Sequence, residues 1–182
     1  MATRNIEKAA GVEIRFAPDA VGTFTGYAAV WGKRDAFGDI VQPGAFAKSL
    51  ATHKVAGTRP LMLKGHDPNA VIGTWDEVRE DQTGLKMTGR LVLDSTEGRD
   101  AYALMKAHAI DGLSIGFRTV RATPAPGGGR IVHEMELIEV SLVARPAQPA
   151  ARVMNVRSAP SNPAAVGLAA HLCAATARIK RN

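Results

Sequence analysis

The sequence predicts a β-barrel with surrounding helices, a mainly β (α+β) domain of about seven strands whose sheet is closed or nearly closed. Three observations point there. Most apolar runs are short and alternate with the two-residue period of strands. The strands and helices follow no regular β-α-β rhythm, which argues against a parallel doubly wound sheet. Finally, 182 residues with 46% hydrophobic content suffice for one domain with a real core plus some tail.

Taken in order, residues 1–11 read as a flexible leader without an apolar run. Residues 12–16 and 24–31 alternate as strands across a turn at 18–22 that holds Pro18 and Gly22. The loop 32–39 carries two aspartates and two glycines, but its spacing is not that of a calcium loop, so a solvated turn is expected. Pro43 opens a short helix in which Phe46 and Leu50 stack at i, i+4. Residues 60–63 form a short strand that breaks at Lys64-Gly65-His66-Asp67-Pro68. Residues 71–78 and 84–93 make a hairpin. Asp94 through Glu97 then reads as a D-x-x-E capping box for a helix bearing Ala101, Leu104, Met105 and His108 on one face. Two long strands follow, separated by Pro124-Ala125-Pro126-Gly127-Gly128-Gly129 and ending near Val143. The barrel domain is thus placed at 12–150, with a basic Ala/Pro/Ser-rich linker and C-terminal helix over 151–182.

Charge and composition exclude several function classes. The net charge of +6 divides into +1 for residues 1–150, where 18 basic side chains face 17 acidic ones, and +5 for residues 151–182, which hold no acid. A near-neutral body with 5% aromatics lacks the basic footprint and stacking platforms of a nucleic-acid module, so nucleic acid is not expected except through the basic tail. No stretch of 18 apolar residues is present and no membrane contact is expected; synthesis in the cytoplasm fits. Cys173 is the only cysteine, which excludes an internal disulfide and a thiolate metal cage. Neither a metal motif nor a phosphate loop appears, and no cofactor is expected.

The chemistry concentrates in residues 111–118. Leu113, Ile115 and Phe117 fall on one face of a strand, while Gly112, Ser114, Gly116 and Arg118 fall on the other. A serine flanked at i−2 and i+2 by glycines leaves room for another backbone, such as a peptide substrate, beside its hydroxyl. A small residue under a bulky crossing is the plainer alternative. Glu139 lies in a strand that is apolar on both faces from 137 onward, so its carboxylate needs a hydrogen-bonding or cationic companion. A serine nucleophile also needs a base. Among His53, His66, His108, His133 and His171, His66 is best placed, where a strand breaks into a turn. Ser141 is a rival serine, crowded by Leu137, Glu139 and Val143.

Several blocks occur in a telling order: Gly26-Tyr27-Ala28-Ala29-Val30-Trp31, the Asp35 to Asp39 loop, Pro43-Gly44-Ala45-Phe46, His66-Asp67-Pro68, Gly112 through Phe117, and Glu139-Val140-Ser141-Leu142-Val143. Over roughly residues 22–150 the chain resembles the tailed-bacteriophage prohead (capsid maturation) serine protease family, which is similar in fold to the herpesvirus assemblin proteases. The resemblance implies Ser114 as nucleophile, His66 as base and Glu139 as third member, where assemblins carry a histidine. It also implies an oxyanion site near Arg145. The implied substrate is the major capsid protein precursor or its scaffold, cleaved inside the assembling prohead in the host, with self-association and self-cleavage, the latter near 150–162. Two other classes remain open at this point. One is a catalytically silent scaffolding protein, and the other a basic internal head protein that binds DNA through 151–182.

Overall fold

The computed structural model of the chain describes residues 21–158. The strand expected at 12–16, the leader over 1–11 and the C-terminal helix lie outside the described residues. Ten elements run in the order β1 (Thr23–Val30), β2 (Ile40–Val41), α1 (Ala47–Ala56), β3 (Leu61–Lys64), β4 (Asp67–Glu80), β5 (Gly84–Leu91), α2 (Thr96–Lys106), β6 (Gly112–Pro124), β7 (Arg130–Val143) and β8 (Val153–Val156). The fold is mainly β, with eight strands in one sheet.

The strand order is β2-β7-β3-β4-β5-β1-β8, with β6 on the other side of β7. Only β2 and β3 lie parallel to β7; the remaining pairs are antiparallel. Among the described residues the ladders do not close into a ring. Where β6 meets the chain leading into β8, a single bridge joins Gly112 to Arg152, flanked by hydrogen bonds from Leu113 N–H to Ala151 C=O (3.0 Å) and from Val153 N–H to Asp111 C=O (2.8 Å). The barrel is therefore an open one with a narrow seam.

One hydrophobic core fills it. Phe24 meets Trp75 edge to face at 5.6 Å, and Met87, Leu113, Met135 and Leu142 are all but inaccessible around them. The alternation of β6 is as expected: Leu113 is fully buried, and Ile115 and Phe117 pack against the same core.

Several details depart from the sequence-based expectation; α1 begins at Ala47, past Pro43, and α2 ends at Lys106, before His108. Residues 153–156, read as linker, form β8 and pair with β1 through Phe24↔Val156 and Gly26↔Val153. The cap of α2 is Ser95, not Asp94; its side chain accepts the Gly98 N–H. The 32–39 loop is more than a solvated turn. Asp39 is buried and receives both arms of the Arg130 guanidinium, at 2.9 and 2.5 Å, tying that loop to the start of β7. The pairing raises the Arg130 pKa, and the bond to Asp39 is the main cause. Lastly, Ile138 is 46% exposed at a bulge in β7, so that strand is covered on both faces only from Glu139 to Leu142.

The β4–β5 turn carries a pH-dependent prop. Burial pushes the Asp81 carboxyl up, but the Thr83 amide, the Tyr27 hydroxyl, the Gly84 amide and the nearby Arg79 outweigh it and hold its pKa below the ordinary 3.8. A depressed carboxyl contributes stability that is present above its unfolded pKa and lost as pH falls through the folded value. Asp81→Asn is thus expected to be less stable than the parent at neutral pH, with the gap narrowing below about pH 4. Urea denaturation of both proteins across that range checks it.

Candidate active site

Three strands and one turn assemble the site. In β7 the side chains of Glu139 and Ser141 share a face because they are two residues apart. The β6 register sets Gly116 opposite Glu139 and Ser114 opposite Ser141. On the other side of β7, β3 pairs Leu61 with Glu139 and Leu63 with Ser141, then ends at Lys64. The chain turns there through two left-handed residues, Gly65 (φ 65°) and His66 (φ 63°). A glycine takes that conformation freely, whereas a histidine in it is strained and needs outside support. Two bonds give it: Gly65 N–H donates to Leu142 C=O at 3.0 Å, and His66 N–H to the Ser141 hydroxyl at 2.9 Å. The turn throws the imidazole back over β7.

The result is a linear relay. His66 Nδ1 lies 2.6 Å from Glu139 Oε1, and His66 Nε2 lies 3.0 Å from Ser114 Oγ. An ionised carboxylate only accepts, so Nδ1 carries the ring proton and Nε2 presents its lone pair to the Ser114 hydroxyl. The second carboxylate oxygen, Oε2, accepts the Ser141 hydroxyl at 2.8 Å. Glu139 is 7% and Ser114 6% exposed, whereas the His66 side chain is 44% exposed. The acid is thus held away from water and the base faces it. Chemically, such a relay draws a proton from a serine hydroxyl and stabilises the imidazolium that forms.

The glycines flanking Ser114 do something other than expected. A Cβ at Gly116 would sit 2.1 Å from Glu139 Oε1, and one at Gly112 would meet Val143 C=O at 2.6 Å and Pro146 Cδ at 2.7 Å. The bare face that sequence reading left for a substrate is taken by the protein itself, by the carboxylate at one glycine and by Pro146 at the other.

Arg145 is exposed, two residues past β7, and among the described residues it forms neither hydrogen bond nor ion pair. Its loop is fastened on both sides. Pro146 packs on Gly112, Ala147 C=O accepts from Ala36 N–H at 2.8 Å, and buried Gln148 clamps β1 through Val30 N–H (2.6 Å) and Val30 C=O (3.0 Å). The other histidines lie elsewhere. His53 bridges Thr58 Oγ1 and Leu137 C=O, His133 meets Thr123 Oγ1, and His108 is exposed beyond α2. His171 and Cys173 fall outside the described residues. No group of three or more His, Cys, Asp or Glu among the described residues is arranged to hold a metal ion.

The sequence marks Ser141 only as a rival serine, not as the support of His66 and Glu139, and it does not mark Gln148 at all. Ser141 had a signal: it stands at i+2 from a buried glutamate on the same strand face, where a short hydroxyl reaches the carboxylate. Gln148 had none, since its partners are 115 or more positions away.

The chain belongs to the caudovirus prohead serine protease family, whose sequence model matches residues 11–163. It is 34% identical over 152 residues to the prohead protease of Enterobacteria phage HK97, which covers 80% of this chain and 65% of that protein. The chain therefore spans about two thirds of that relative's length. Its fold is similar to that of the bacteriophage T4 capsid assembly protease, with a TM-score of 0.55 at 18% identity over 68% of this chain and 82% of the other.

Proposed function

We propose that this chain is a serine endopeptidase that cleaves the capsid precursor or its scaffold during prohead maturation. The observation that carries the reading is the position of His66, within 3.0 Å of Ser114 Oγ and 2.6 Å of Glu139 Oε1. Ser114 attacks the scissile carbonyl while His66 Nε2 takes its proton, and the same nitrogen then protonates the leaving amine. Water completes the cycle by the reverse path. Glu139 fixes the ring tautomer and offsets the charge on the imidazolium. Backbone amides of the loop at Arg145 receive the oxyanion in this reading, supported by the packing of Pro146 against Gly112, two residues before Ser114. The membership of the family and the name of the HK97 relative support the substrate and the place of action, inside the assembling prohead in the host. Self-association and self-cleavage belong to the same proposal. The catalytic unit then runs at least to Val156, because β8 is paired into the sheet, and the basic charge of residues 151–182 suits docking on an acidic scaffold surface.

A fluorophosphonate ester is the direct test. Added to the enzyme co-expressed with the capsid precursor, it is expected to leave one adduct, on Ser114, and none when His66 is replaced by alanine. Processing that continues without an adduct on Ser114 overturns the assignment.

A further inference from the structure

We infer that Ser141 is a positioning residue for the proposed reaction, a single hydroxyl that fixes both the base and the acid; the inference rests on the protease reading above. Ser141 is wholly buried and stands at the centre of the site, paired across the sheet with Ser114 on β6 and with Leu63 on β3. Its one proton goes to Glu139 Oε2 at 2.8 Å, and its oxygen accepts the main-chain N–H of His66 at 2.9 Å. Each bond does something the rest of the site does not. The first holds the carboxylate so that Oε1 stays on His66 Nδ1, 2.6 Å away. The second secures a histidine whose left-handed backbone is otherwise unfavourable. A hydroxyl has this donor-plus-acceptor capacity, and no apolar side chain of the same size does. The Ser141 hydroxyl is bonded to His66 N–H and Glu139 and not to the reacting hydroxyl of Ser114, and in this reading it does not meet the substrate. It acts through Glu139 and His66.

Removing such an outer support from a site whose parts must meet within hydrogen-bond reach costs about 10- to 100-fold in activity. Ser141→Ala is expected to lower kcat for capsid-precursor cleavage by that factor and to leave KM unchanged, because ground-state binding is untouched. Thr and Val at this position supply a hydroxyl control of equal bulk. In a closed core both add a methyl group and strain the packing alike, but only Ser141→Thr keeps the hydroxyl. The inference therefore expects Ser141→Thr to exceed Ser141→Val in kcat by about tenfold or more at matched melting temperatures. Packing alone predicts equal rates. Equal kcat for the Thr and Val proteins overturns the inference, as does wild-type kcat in Ser141→Ala. Measuring Ser114→Ala in parallel separates the two levels. If that protein still cleaves, the protease assignment itself is wrong; if it is inert while Ser141→Val is fully active, only the role of Ser141 is.

Discussion

Ser114→Ala is expected to leave the capsid precursor uncleaved on co-expression, with a fall in rate on the order of 10⁶-fold, the loss seen when the nucleophile of a serine protease is deleted. The loss should not come from unfolding. Ser114 is nearly buried, but its hydroxyl is bonded to His66 Nε2, on a ring that is 44% exposed, so water can take the vacated place. The thermal midpoint is accordingly expected to stay within a few degrees of the parent, as for a substitution worth about 1 kcal/mol or less. Two further readouts follow from the same chemistry. Self-cleavage should stop, so the mutant chain should keep its full length wherever the parent is shortened. The variant is expected still to bind uncleaved precursor, because the substitution removes only the Ser114 hydroxyl. Persistent precursor processing in a Ser114→Ala preparation of unchanged stability would remove the nucleophile from the mechanism.

Where the sequence was legible, a period or a local chemical rule spoke for itself. Leu113, Ile115 and Phe117 announce their face by alternation, and the β4–β5 hairpin by its Asp81 to Gly84 turn. Glu139 announced that it needed a companion, and it has two, His66 and Ser141. What stayed hidden depends on register. The pairing of Gly116 with Glu139 is followed at once by a bulge, so Phe117 pairs with Leu137 and Ile138 is turned outward. A one-residue irregularity of this kind leaves no trace in a pattern of apolar residues. β8 was hidden for another reason. Its four residues sit in Pro- and Ala-rich surroundings, and they reach β1 only because Gly26 lacks a side chain; a Cβ there would lie 2.4 Å from Arg152 C=O. Likewise, Asp39 is separated from Arg130 by 91 positions, and nothing local marks it as buried.

Gly116→Ala is expected to disable the enzyme while sparing the fold. The backbone at this position is ordinary strand, so alanine brings no conformational strain, but its methyl group would stand 2.1 Å from Glu139 Oε1 and 2.8 Å from the carboxylate carbon. One of the two has to move, and the end of a glutamate side chain moves more cheaply than a paired strand. The displaced carboxylate then loses its 2.6 Å bond to His66 Nδ1, and with it the control of tautomer and ring orientation. Depriving a serine–histidine pair of a correctly bonded third member costs about 10⁴-fold in kcat, which sets the scale of the loss. Gly112→Ala provides the contrast. Its methyl group would meet the Val143 carbonyl, which is backbone, and the Pro146 ring, so the cost should fall on stability and on the seam beside β8. A double-mutant cycle sharpens the argument: in a Glu139→Gln background, where the acid is already lost, Gly116→Ala should cost little more. Additive losses in that cycle would mean that the methyl group acts by a route other than the carboxylate, and wild-type kcat/KM in Gly116→Ala that the carboxylate is not required where it stands. The two glycines around Ser114 would then differ only in packing, not in their relation to the chemistry.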